Sequence, residues 1–259
     1  MIRIQRAAER YPGGDPAAGI ETRHALSFGS HYDPDNLRFG AVLACNEERL
    51  APGAGFDEHP HSHTEIVTWV VEGELTHHDS AGHRTVVRPG DLQHLRSAGG
   101  VRHVERNDAA VPLVFVQMWL APLTPGGEPS YEVVRGLGDA YELPAADARL
   151  HVRRLGPGDR SAVPDADLVY VHVVRGSVRL GGGELAEVLG PGDAARLTDA
   201  GALELAPAHA TADAHDTATA HVLPDAHGAA AATATEGGVA AAGAEVLVWE
   251  MRDWRKALG

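Results

Sequence analysis

Four side chains able to bind a metal stand close together in "HPHSHTE" (59–65): His59, His61, His63 and Glu65, each two positions from the next. In an extended chain alternate residues share a face, so all four would project the same way. A second set lies in "GVRHVERN" (100–107), where His103 and Glu105 are again two apart. Imidazole and carboxylate groups are the natural donors for Fe, Ni, Cu, Mn or Zn. Two such pairs on neighbouring strands need only β alternation to converge on one ion. On spacing alone, the first stretch offers four candidates and the second offers two.

The elements that must carry these residues read as strands. "EIVTWVVEGELTHH" (65–78), "RTVVRPGDLQHL" (84–95) and "PLVFVQMWL" (112–120) are short, β-branched or apolar runs separated by turn residues. With 30 Gly and 16 Pro in 259 residues, they favour an all-β chain built as a sandwich or small barrel. A formal net charge of -14 without a dense Lys/Arg run argues against direct contact with nucleic acid or an anionic membrane surface. A single cysteine, Cys45, excludes an intrachain disulfide and a thiolate zinc cluster. No run of 18 apolar residues is present, and "MIRIQRAAERYPGG" lacks the apolar segment of a signal peptide; a cytoplasmic protein is expected.

The pattern occurs twice. Val70, Val71 and Gly73 of "TWVVEGEL" fall on Val173, Val174 and Gly176 of "VHVVRGSV", an offset of 103. Pro89, Gly90, Asp91 and Leu95 fall on Pro191, Gly192, Asp193 and Leu197, an offset of 102. A duplicated β-domain is expected, joined through the Pro/Gly-rich "APLTPGGEPSYE" (121–132). Residues 206–243 are mostly Ala, Thr, Gly, His and Asp and read as a disordered insertion in the second domain. Within it His209, His215, His221 and His227 recur every six residues, which reads as low-complexity drift rather than a metal tract.

Two stretches, "GAGFDEHPHSHTEIVTWVVEG" and "PGDLQHLRSAGGVRHVERN", resemble the two signature motifs of the cupin superfamily. More narrowly, residues 19–61, "EIVTWVVEGELTHHDSAG", "PSYE" and "AEVLVWEM" resemble the pirin family. That resemblance implies two tandem jelly-roll-like cupin barrels: a metal-binding N-terminal cupin at 1–125 and a metal-free C-terminal cupin at 126–259. It implies one divalent transition metal, most often Fe(II), with Mn, Ni, Co, Cu or Zn as alternatives. The ligands it carries over are His59, His61, His103 and Glu105. Glu65 stands one position early for the glutamate that many other cupins use, and a one-residue slip sends a strand side chain to the other face. Glu65 is therefore expected not to bind, and His63 to lie on a turn outside the ligand set. His77 is expected to be a packed structural histidine.

Applied to the second half, the offsets set Ala162, Pro164, Leu205 and Pro207 where the four ligands stand in the first. Two departures from the family pattern, the short "SAGGVRH" turn and Val104 before the glutamate, touch pocket shape. Some pirins resemble quercetin 2,3-dioxygenases. The resemblance then implies an oxidoreductase that takes a flavonol and O2, with Glu105 removing the 3-hydroxyl proton and the heterocycle opening with loss of CO. Other pirins imply the alternative: an iron-binding redox sensor whose partner is a transcription regulator. A monomer is expected, since a bicupin supplies its own barrel-to-barrel contact.

Overall fold

In the computed structural model, residues 1–183, 185–199, 201–208, 243–254 and 256 are described. The four histidines of the Ala/Thr-rich insertion lie outside them. The regular structure of the described residues is almost entirely antiparallel sheet, and no helix among them is long and apolar enough to cross a membrane. In chain order the first strands are β1 (Ile2–Gln5), β2 (Tyr11–Asp15), β3 (Ile20–His24), β4 (Val42–Leu50), β5 (Gly55–His61) and β6 (Glu65–Glu72). They continue with β7 (Leu75–Asp79), β8 (Arg84–Val87), β9 (Leu92–Arg96), β10 (Val101–Arg106), β11 (Leu113–Leu120) and β12 (Ser130–Val134). The later strands are β13 (Ala140–Leu143), β14 (Ala148–Leu155), β15 (Ser161–Ala162), β16 (Leu168–Arg175) and β17 (Val178–Gly182). Four more complete the set: β18 (Leu185–Leu189), β19 (Ala194–Thr198), β20 (Glu204–Pro207) and β21 (Ala244–Met251).

The internal repeat read from "VVEGEL" and "VVRGSV" is present in the topology. A large sheet of order β12-β9-β6-β11-β4-β3-β2 faces a small sheet of order β5-β10-β7-β8. The second half copies both, as β1-β19-β16-β21-β14-β13 and β15-β20-β17-β18. The two matched glycines have one physical reason. Gly73 and Gly176 hold φ of 78° and 67°, and a Cβ there would lie 2.4 Å from the Pro112 carbonyl and 2.7 Å from the Gly243 carbonyl.

The copies differ from a simple tandem in one respect. The first strand, β1, completes the second half by pairing with β19, and β12 completes the first half by pairing with β9. The Asp of each "PGD" turn pins the exchanged strand. Asp91 accepts from Gly136 N at 2.9 Å and Arg135 Nη1 at 2.6 Å, just past β12. Asp193 accepts from Ala7 N at 2.8 Å and Arg6 Nη1 at 3.0 Å, just past β1.

Strand parity explains the nearly continuous apolar runs. On β16, Leu168 and Tyr170 pack between the halves, while Val169, Val171 and Val173 fill the second barrel. On β6, Val67, Trp69 and Val71 face that same shared core with Met118, Leu247 and Trp249, while Ile66 and Val70 face their own barrel. Each large sheet is thus buried on both sides, and each fully buried Leu, Ile or Phe contributes roughly 1.5–3 kcal/mol. Polar residues on the barrel-facing parity interrupt this packing in the first half, among them Thr68, Gln93, Gln117 and Glu48, all buried.

Candidate metal centre

Three of the predicted ligands meet across one strand pair. His59 on β5 stands directly opposite His103 on β10, and His61 lies two residues along the same face. Their rings are 4.5 to 4.8 Å apart, centroid to centroid. His59 Nε2 and His103 Nε2 approach to 3.0 Å. The His59 Nδ1–H donates to the Asp57 carbonyl at 2.7 Å, which leaves its Nε2 lone pair free. His61 Nε2 and His103 Nδ1 are buried with no hydrogen-bond partner. Buried imidazole nitrogens without partners, beside two Nε2 atoms 3.0 Å apart, suit a shared cation rather than each other.

Glu105 sits on the same face of β10, but a register shift between His103 and Glu105 sets it opposite Phe56. On its other side it pairs with His77 of β7. Two triads therefore share His103: His59–His61–His103, and His77–His103–Glu105, each with donor atoms within 4.8 Å of one another. His77 is fully buried, stacks on Tyr131 at 4.3 Å, and lies 3.2 Å from Asp79 through Nε2. It is a packed histidine, as its strand position suggests, yet it also borders the donor cluster.

The electrostatics favour cation binding. Burial pushes His61 down to about 4, aided by the neighbouring His103 and His59 rings. Burial likewise depresses His103 and His77. These rings are neutral at pH 7, with lone pairs available. Burial alone would raise the Glu105 carboxyl. His103, His77 and the amides of Gln117 and Gln93 outweigh it and hold Glu105 below the usual carboxylate range. Imidazole and carboxylate donors grouped in these two triads suit a divalent transition metal.

The remaining residues of "HPHSHTE" are placed elsewhere. Strand β5 ends at His61, and His63 is exposed with φ of 58°, in the left-handed region. Glu65 opens β6, is buried, and accepts from His94 Nε2 at 2.7 Å with Arg96 3.6 Å away. Neither belongs to a donor triad. Several residues around the centre are not among the expected site residues: Gln93, Gln117, Trp119, Tyr131 and Glu48. An amide inside the apolar run "PLVFVQMWL" was the available clue to Gln117. A cleft of about 320 Å3 opens beside His61, lined also by Pro60, Ser62, Gly100 and Val101. Larger hollows lie between the barrels, around Arg10, and on the small sheet of the second half.

Paired jelly-roll sheets with a histidine cluster inside one of them define a bicupin. The chain belongs to the pirin family: the Pirin family model matches residues 4–120. A Mycobacterium tuberculosis protein named "Putative quercetin 2,3-dioxygenase" is 41% identical over 221 residues, covering 78% of this chain and 88% of the relative. A Caulobacter vibrioides "Pirin-like protein" is 34% identical over 199 residues, covering 66% and 86%. An Escherichia coli protein named "Quercetin 2,3-dioxygenase" is 31% identical over 198 residues, covering 70% and 85%. Among solved structures, the E. coli bacterial pirin YhhW in complex with nickel(II) matches with a TM-score of 0.77 at 25% identity, covering 97% of this chain and 99% of that one.

Proposed function

We propose that this pirin is a metal-dependent dioxygenase that opens the heterocycle of flavonol-like substrates with O2, and that His59, His61, His103 and Glu105 form its metal site. The observation that carries the reading is the convergence of the His59 and His103 Nε2 atoms at 3.0 Å, beside the unpartnered His61 Nε2 and an ionised Glu105. The names of the mycobacterial and E. coli relatives, and nickel(II) in YhhW, support it. A divalent metal bound there supplies Lewis acidity and redox coupling between an aromatic enolate and O2; Fe(II) is our first assignment, with Mn, Ni, Co, Cu and Zn suited to the same donors.

The chain's own groups do the rest. His59, His61 and His103 present lone pairs from a rigid strand pair, so little reorganisation is needed. Glu105, ionised and buried, accepts the proton of the substrate hydroxyl. Trp119 packs its edge on His61 at 4.8 Å and meets Phe28 at 5.0 Å, giving the interior an aromatic wall suited to a flat ring system. The cleft beside His61 is at the lower end of the ~300–1,000 Å3 common for small-molecule sites. We assign the metal-binding cupin to residues 1–125 and the metal-free one to 126–259, apart from β1 and β12, which each complete the other half's sheet, working as a monomer in the cytoplasm.

The test is anaerobic reconstitution with each metal in turn, followed by O2-uptake and CO-release measurements with quercetin. Turnover with at least one metal, lost in Glu105→Gln, is expected. Failure of the Fe, Mn, Ni, Co and Cu forms alike to consume O2 with the flavonol would sink the enzymatic reading.

A further inference from the structure

Glu105 is gripped from behind. Gln93 Nε2 donates to its Oε1 at 3.0 Å, and Gln117 Nε2 donates to its Oε2 at 2.7 Å. Each amide is itself fixed by a donor on its far side. Trp119 Nε1–H donates to Gln117 Oε1 at 2.9 Å, and Tyr131 O–H donates to Gln93 Oε1 at 3.1 Å. With its carbonyl so occupied, neither amide can flip without facing oxygen against oxygen at the carboxylate. Gln93 and Glu105 are within 1% of full burial and Gln117 is 7% exposed, so water does not compete for these bonds.

Trp119 and Tyr131 also touch the two donor triads, through His61 and His77 respectively. The arrangement is therefore symmetric: on each flank an aromatic residue packs on a histidine and orients a glutamine, and the glutamine holds one oxygen of Glu105. A carboxylate with each oxygen accepting one such bond keeps about two lone-pair sites free, enough for one metal bond and one proton. An unclamped carboxylate would instead be free to turn both oxygens to the metal.

We propose that Gln93 and Gln117, aimed by Tyr131 and Trp119, are positioning residues that hold Glu105 as a single-oxygen partner of the site metal and keep its second oxygen free to take the substrate proton. This rests on the metal-site reading above, and only its second half depends on the flavonol reading. Tyr131 lies on β12, which takes up the end of the 121–132 segment expected as a linker, so the clamp closes only when that strand is paired with β9.

The experiment loads Co(II) into the purified full chain and into Gln117→Leu, Trp119→Phe, Tyr131→Phe and the Trp119→Phe/Tyr131→Phe double variant. Co(II) affinity by chelator competition and the visible ligand-field spectrum are recorded, together with kcat and KM for quercetin in the active metal form. Tyr131→Phe keeps the ring and deletes only an O–H; Trp119→Phe deletes the N–H together with one ring of the indole, so its effect is read against Gln117→Leu, and melting curves check that the fold is retained. The expected result is a changed Co(II) spectrum in Gln117→Leu, reproduced by the double variant. A kcat loss of about 10–100-fold at little-changed KM should accompany it, the usual size for a group that orients a ligand. Spectra and Co(II) affinities equal to wild type in all four variants would overturn the clamp, even if turnover fell. If the spectra change as expected while wild type leaves quercetin untouched, the clamp on the metal-bound carboxylate stands and the flavonol reading fails.

Discussion

Glu48 gives the sharpest physical prediction. It lies on β4, opposite Thr22 of β3 and Phe115 of β11, and is 5% exposed. Burial raises its carboxyl from an ordinary 4.5 to about 8; the Thr22 hydroxyl, which donates to Oε2, opposes this only in part, and the charge of Glu105 adds to the rise. The folded protein therefore keeps Glu48 protonated at pH values where the unfolded chain has lost the proton. The sign follows directly: between about 4.5 and 8 the native state binds one more proton than the unfolded state, so stability falls as pH rises through that window. At pH 7 about 2.5 units of the gap are crossed, which at ~1.36 kcal/mol per unit costs about 3 kcal/mol.

Glu48→Gln removes the titration while keeping the shape and an acceptor for Thr22. The variant should be about 3–4 kcal/mol more stable than wild type at pH 7–8, and within about 1 kcal/mol of it at pH 5. Urea unfolding of both proteins in chelator, at pH 5, 6, 7 and 8, reads this out. A stability difference independent of pH, or one that grows toward pH 5, would refute the reasoning.

Three further predictions follow from the same geometry. His103→Ala removes the residue common to both donor triads; metal content by elemental analysis of untagged protein should fall below one tenth of wild type, and retention of a full equivalent would contradict the site. Gly55→Ala drives a methyl to 2.8 Å from the Arg106 Cα and the Glu105 carbonyl; it should destabilise the chain by about 1–3 kcal/mol and weaken metal binding by prising β5 from β10, checked by calorimetry and metal titration. Asp193→Ala deletes the bonds to Ala7 N and Arg6 that pin β1; a loss of about 2–4 kcal/mol in urea is expected, and a loss under 0.5 kcal/mol would show the pin to be idle.

Much of this was legible in the sequence because β alternation is a strict code. "HPH" and "HVE" placed side chains on one face, and the repeated "VVxG" and "PGD" segments carried the duplication into matching sheets. Local parity could not decide how far the code runs. The turn at His63 ends it, and Glu65 then finds His94, 29 residues away. Nor could it place the support of Glu105, because Gln93, Gln117 and Tyr131 sit on three different strands whose neighbours are set by tertiary pairing. The exchange of β1 and β12 was hidden for the same reason. Both strands are short, and nothing in their residue types says which sheet will accept them.

That exchange has a consequence for how the chain is made. Strand β1, Ile2–Gln5, finds its partners at Ala194–Leu197, some 190 residues later. At ribosomal speeds of about 5–20 residues per second, it waits roughly 10–40 s with no sheet to join. The N-terminal barrel is likewise left with a bare β9 edge until β12 emerges. Each half thus holds the other's last piece, and neither can seal its exposed edge from its own uninterrupted stretch of chain. A chain that stops before β19 leaves β1 without its sheet, although β12 has by then already covered the β9 edge of the first half.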